Sequence, residues 1–126
     1  MRSDCPCCSQ KPYEECCKPF HQGQNPSTPL ELMRSRYSAY ALNLPKYIRK
    51  TTHPKNPHFG EGLSSIEEFC HTTEFCRLEI LGHGPTHVYF AAHLKQQGHP
   101  FTLTEKSRFE QVDSKWLYLD GEIFKT

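Results

Sequence analysis

Two pairs of cysteines near the amino end, Cys5-x-Cys7 and Cys16-Cys17, offer four sulfurs with eight residues between the pairs. Thiolates are favoured ligands of zinc, which takes four of them in a tetrahedron when its role is structural. Two cysteines one residue apart can both point inward from a tight turn, and Pro6 stiffens that turn. Ser9-Gln10-Lys11-Pro12 brings the chain back, and a short helical stretch from Pro12 to Cys17 presents the second pair. A closed set of four sulfurs leaves no position for a substrate water, so the chemistry expected is structural rather than catalytic. So short a segment has no core of its own. Metal binding would supply its folding free energy, about 10–16 kcal/mol in small zinc peptides. Arg2, Lys11 and Lys18 are placed to offset the net negative charge of such a centre. His21 follows as a substitute ligand, and free or redox-active thiols are the alternative reading of the same cluster.

A second group of residues points to different chemistry. Phe101, Leu103, Glu105, Ser107 and Phe109 share one face of an alternating segment, which lands the Glu105 carboxylate among apolar side chains. A carboxylate so placed needs a partner or a raised pKa. Arg34 sits at the edge of a helical apolar stripe and is the expected partner, ahead of Arg36. Tyr37, Tyr40 and Trp116 could line the same space. The pair reads either as a ligand-binding or acid/base pair, or as a structural ion pair tying helix to sheet. One bulge would turn Glu105 outward and end its candidacy. No residue is assigned a catalytic role, because no Gly-rich phosphate loop, metalloprotease helix motif or nucleophile elbow occurs. The histidines read as surface residues; His87 and His93 would be roughly 20 Å apart along one strand. Cys70 and Cys76 read as small buried hydrophobes.

The elements that position these groups are legible from periodicity. Residues 22–29 form a polar joint between a segment 1–22 and a body 23–126. Thr28 is a good N-cap, Pro29 fits the first helical position, and Glu31 completes a capping box. Leu30, Met33, Tyr37, Tyr40, Ala41 and Leu44 then form one apolar stripe, and Pro45 stops that helix. A short helix over 46–52 buries Tyr47 and Ile48. A third helix capped by Ser65 and Glu68 runs to about residue 72 with Ile66 and Phe69 inward. From there the period becomes two. Segments 76–82, 86–95, 101–111 and 115–120 read as strands joined by turns, with Val88, Phe90, Ala92 and Leu94 on one face. Helices followed by hairpin-linked strands mean an α+β fold with an antiparallel sheet.

Composition narrows the function classes. The 126 residues suffice for one domain with a real core, supplied by eight Phe, six Tyr and one Trp. Fifteen Lys+Arg against 14 Asp+Glu give a net charge of +1, which argues against a dominant nucleic-acid role. A weak basic stretch, Lys46, Arg49, Lys50 and Lys55, reads first as a solvated face and second as a phosphate-binding patch. The start lacks an apolar signal region and no run approaches a membrane span, so a cytoplasmic address without membrane contact is expected. Reduced thiols in that compartment are expected to bind metal rather than form disulfides.

Particular residues carry a family resemblance. Cys5-Pro6-Cys7, Lys11-x-Tyr13, Cys16-Cys17, His21 and Gly23 resemble the SEC-C motif. Leu32-Met33-Arg34-Ser35-Arg36-Tyr37-Ser38-Ala39-Tyr40, Glu105-x-Ser107-x-Phe109 and Trp116-x-Tyr118-x-Asp120-Gly121 extend the likeness through the body. Together they resemble the YchJ-like family, in which a SEC-C motif precedes a nuclear transport factor 2-like domain. The resemblance implies a cystatin-like cone of curved antiparallel sheet wrapped around helices. It also implies zinc held by Cys5, Cys7, Cys16 and Cys17. The family carries Gly-Ser-Gly where this chain has Cys8-Ser9-Gln10, so a reshaped turn, with Cys8 competing in place of Cys5, is an open alternative. SEC-C motifs resemble the zinc tail of the translocase ATPase SecA that docks on the chaperone SecB. A protein partner captured through the zinc module is therefore the expected role. The alternative is a small-molecule binder or enzyme using a pocket in the cone, and such cones often pair into homodimers.

Overall fold

The computed structural model describes residues 4–60 and 62–125. After a 3-10 turn at Tyr13–Glu15 come four helices: α1 (Lys18–His21), α2 (Pro29–Ala41), α3 (Pro45–Lys50) and α4 (Leu63–Thr72). Four strands follow: β1 (Thr73–His83), β2 (His87–Gln96), β3 (His99–Val112) and β4 (Lys115–Lys125). They form one antiparallel sheet in the order β1-β2-β3-β4, as the α+β reading predicts. The strands run longer than their apolar cores, β4 most of all, because Gly121 looks like a stop signal and instead stays paired with Ser107.

The ends of α2 follow from its sequence. The Glu31 N–H donates to Thr28 Oγ1 at 3.1 Å, while the Glu31 carboxylate accepts from the Ser27 N–H at 2.8 Å, one residue earlier than a standard capping box. At the far end Asn43 takes a left-handed conformation with φ 58. The Leu44 N–H reaches Ala39 O and the Asn43 N–H reaches Tyr40 O, the paired bonds of a Schellman stop.

Burial on α2 departs from the one-stripe expectation. Met33 and Tyr37 are buried as expected, but so are Leu32, Ser35, Arg36, Ser38 and Ala39 on other faces. Those faces are covered by the cysteine segment and by α3, and polar groups there are satisfied locally. Ser35 Oγ donates to Leu32 O and meets the Tyr47 hydroxyl at 2.7 Å. A polar residue read as solvent-facing becomes interior when a second element covers it.

The sheet supplies the opposite wall. Val88, Phe90, Ala92 and Leu94 all point into the core, in the alternation that β2 shows in sequence. On β3, Glu105, Ser107 and Phe109 are buried, whereas Phe101, at the strand's start, is 39% exposed. Register shifts at Phe75/Arg77 and Ile80/Gly82 bend β1, and another at Arg108/Phe109 bends the β3–β4 pair. None of them turns Glu105 out. Cys70 is buried, but Cys76, which falls at the first of these shifts, is exposed. The segment 51–58 docks along β4: Tyr118 N–H donates to Thr51 O and His53 N–H to Tyr118 O, both at 2.8 Å. His53 is consequently buried, not superficial, with Nε2 on Glu110 at 2.9 Å. No helix among the described residues is long and apolar enough to cross a membrane.

Candidate functional site

The cysteine segment closes on itself. Asp4 bridges to Pro12, and Cys5 N–H donates to Lys11 O at 2.9 Å. Inside that loop Cys8 and Gln10 adopt φ of 65 and 71. These are the two positions at which the family pattern has glycine, so the turn keeps its glycine-like shape and is not remodelled. The cost is backbone strain of about 1 kcal/mol or more at each non-glycine residue.

This loop and the turn before α1 bring four sulfurs together. The Sγ atoms of Cys5, Cys7, Cys16 and Cys17 all lie within 4.8 Å of one another. Cys7 and Cys16 are 3.5 Å apart, and Cys16 and Cys17 are 3.8 Å apart. A zinc–sulfur bond of about 2.3 Å puts the edge of a sulfur tetrahedron near ~3.8 Å, so the donor set fits such an ion. Cys8 stands apart from that cluster. Its Sγ accepts the Leu78 N–H of β1 at 3.4 Å. His21 is also committed elsewhere: its Nε2–H donates to Ser35 O at 2.8 Å, and the Tyr13 hydroxyl donates to Nδ1 at 2.7 Å. Burial lowers its pKa. It pins α1 to α2 rather than offering a ligand nitrogen.

Close approach and burial spread the acidities of Cys7, Cys16 and Cys17 apart. Hydrogen bonds from the Cys17 and Cys5 thiols hold the Cys7 thiol far below its ordinary value. Hydrogen bonds with Cys5 and Cys7 raise the Cys17 thiol, and burial pushes Cys16 up to about 11. Three polar groups aim at the sulfurs: Ser9 Oγ at 3.1 Å from Cys16, Ser38 Oγ at 3.3 Å from Cys5, and Arg34 Nη1 at 3.9 Å from Cys7. Arg34 also donates to Cys7 O at 2.8 Å. Arg34 thus faces the sulfurs and not the Glu105 carboxylate expected as its partner. Lys11 is exposed, and Arg2 lies outside the described residues.

The second site is a cavity of about 500 Å³ between sheet and helices. Tyr37, Tyr40 and Glu105 line it as expected, together with Arg36 and Tyr118. Two expectations are corrected. Arg34 does not reach the cavity, because α2 turns it toward the cysteine segment. Trp116 also lies outside, with its indole N–H donating to Ser27 O at 3.2 Å. Arg36 occupies the cavity side of α2 instead, with its guanidinium 4.7 Å from the centre of the Tyr118 ring.

Glu105 is 8% exposed. Its Oε2 accepts from Ser107 Oγ at 2.5 Å and from the Tyr118 hydroxyl at 2.8 Å. Gly121 makes room for it: a Cβ there would lie 2.2 Å from Oε2. The hydroxyl of Tyr37 is buried beside the Arg77 backbone and makes no well-formed hydrogen bond among the described residues. Burial pushes its pKa upward, and the Tyr118 phenol is raised by burial and by the Glu105 charge.

Comparison with known proteins places this geometry. A family model described as YchJ, middle NTF2-like domain, matches residues 28–121. The chain belongs to the YchJ-like family. Among YchJ-like relatives, a UPF0225 protein of Deinococcus radiodurans is 40% identical over 119 residues, covering 93% of this chain and 87% of that one. A UPF0225 protein of Vibrio vulnificus is 38% identical over 96% of this chain and 75% of its own length. Two solved structures superpose on the YchJ-like chain. A SEC-C motif containing protein from Rhodopseudomonas palustris gives a TM-score of 0.83 at 29% identity, covering 99% of this chain and all of that one. A second, from Psychrobacter arcticus, gives 0.79 at 30% identity, covering 97% and 83%. The NTF2-like fold and the cysteine cluster are joined in this one chain.

Proposed function

We propose that this YchJ-like protein is a zinc protein whose tetrathiolate centre is a structural staple and whose working site is the cone cavity, which binds a small molecule. The observation that carries the reading is the contrast between the two sites. Cys5, Cys7 and Cys17 are at most 3% exposed and pack in one cluster with Leu32, Tyr37, Val88 and Phe109. A metal held there braces the core. The cavity, by contrast, lies between sheet and helices and holds a carboxylate among aromatic walls, the form of most small-ligand sites.

Two measurements on the full chain test this. Elemental analysis in reducing buffer is expected to give one zinc per chain. A fragment screen followed by two-dimensional NMR is expected to shift the amides of Phe75, Phe90 and Tyr118. Hits confined to residues 4–22, or none at all, would remove the cavity from consideration.

A second reading is capture of a protein partner by the cysteine segment. It is favoured by the exposed charged rim of Lys11, Glu14 and Glu15 and by the likeness to SEC-C motifs. A pull-down comparing the intact protein with a Cys16→Ser, Cys17→Ser variant separates the two. A partner lost only from the variant supports capture.

A further inference from the structure

We infer that the cavity selects a small organic cation, an ammonium group carried on an apolar or aromatic body. The charge would sit against Glu105 Oε1 and the body along the wall formed by Tyr40, Phe69 and Phe75. The inference rests on the reading of the cavity as a ligand site and adds the chemistry of its occupant.

The argument begins with unmatched charge. Both hydrogen bonds to the Glu105 carboxylate go to Oε2, from Ser107 and Tyr118; among the described residues Oε1 receives none. Nor does Glu105 take part in an ion pair among the described residues. Two neutral hydroxyls orient a buried carboxylate but do not cancel its charge, and a buried charge is costly unless paired.

Arg36 is a cation in the same cavity, and its Nη1 is engaged away from Glu105. Its Nη1 donates to Ile48 O at 3.1 Å, to Thr51 Oγ1 at 2.7 Å and to Thr52 Oγ1 at 3.3 Å. The guanidinium therefore serves the carbonyl end of α3 and sits over the Tyr118 ring, while Glu105 is held at the hydroxyl of the same residue. Arg49 sits exposed at the rim. Arg36 Nη1 thus has acceptors and a ring face beside it, whereas Glu105 Oε1 has no donor among the described residues.

The walls suit a cation as well. Tyr40, Phe69 and Phe75 pack with ring centres 5.6–6.0 Å apart, and all three border the cavity. Aromatic faces attract an ammonium that has left water. They also bury its hydrocarbon. An anionic ligand would instead have to approach Glu105 against repulsion, and a neutral one would leave the carboxylate unpaired.

The test uses the zinc-loaded full chain and three probes of one shape: phenethylammonium, phenethyl alcohol and hydrocinnamate. Affinity is read by calorimetry and location by NMR. The ammonium is expected to bind at least tenfold more tightly than the alcohol, with shifts at cavity residues. Glu105→Gln, which keeps an acceptor for Ser107 and Tyr118, is expected to erase that preference at unchanged zinc content. The comparison of probes on the unaltered protein needs no variant, so a folding defect in Glu105→Gln leaves it decisive. Equal binding of ammonium and alcohol in the cavity would overturn the charge inference and leave the ligand site standing. A preference for hydrocinnamate would overturn it in favour of Arg36. No binding by any probe would overturn both the inference and the site beneath it.

Discussion

The Tyr118 hydroxyl donates a 2.8 Å hydrogen bond to Glu105 Oε2. That bond fixes the ring whose face carries Arg36, so two buried charges of opposite sign meet the same phenol, one at its face and one at its hydroxyl. The arrangement ties α2, β3 and β4 together without a direct ion pair.

It predicts an alkaline limb in the stability profile. Burial, and then the Glu105 charge, raise the Tyr118 pKa above its ordinary value. Burial likewise raises Tyr37, and Tyr47 to about 12. Below about pH 10 these phenols are protonated in both folded and unfolded chains, and their contribution is fully present. As pH rises beyond that, the unfolded chain ionises first, so stability falls toward the folded values. Denaturant unfolding at stepped pH should show the decline, and Tyr118→Phe should make it shallower while costing about 1 kcal/mol at neutral pH. Tyrosinate absorbance rising for all six tyrosines together near pH ~10 in the native protein would contradict this.

Gly121→Ala is expected to destabilise by about 1–3 kcal/mol, since the new methyl would overlap the Glu105 carboxylate. Gly82→Ala serves as its control. Nothing lies within 4 Å of a Cβ there, so its melting temperature should match the parent or rise slightly.

Metal removal should loosen the whole molecule and not the first residues alone, because three of the sulfurs belong to the main core cluster. Chelation at neutral pH is expected to lower the melting temperature and broaden amide signals as far away as Val88. Acid should release the ion as protons compete for the sulfurs. Cys7→Ser should bind less than one equivalent of zinc, whereas Cys8→Ser, whose sulfur lies against β1, should still bind one. A full equivalent in the first variant would refute the assignment.

Gln10→Gly should stabilise by about 0.5–1 kcal/mol, because glycine reaches a φ of 71 without the Cβ penalty. The same change at Lys11, which is not among the left-handed residues, should give no gain. Thermal unfolding of the two zinc-loaded variants decides between them.

What the sequence disclosed, and what it withheld, follows from range. The cap at Thr28, the alternation of β2 and the spacing of the cysteines are local patterns, and each is met in the structure. The inward turn of Glu105 was legible for the same reason. Which arginine meets it was not. Arg34 and Arg36 differ by about 200° around a helix, and the choice depends on what covers each face. That is set by the cysteine segment and α3, residues far away in sequence. The burial of Ser35, Ser38 and His53 was hidden for the same cause, since each is interior only through a remote partner.

The two outer strands of the sheet have a consequence for self-association. An open strand border is a template on which another copy can add its own strand. Here the Cys8 sulfur meets the free side of β1 at Leu78, and the backbone of Thr51 and His53 meets the free side of β4 at Tyr118. Both borders are blunted near their middles, which guards the meander against runaway stacking. A second copy would have to approach the sheet broadside, where Tyr89 and Phe124 pack edge to face.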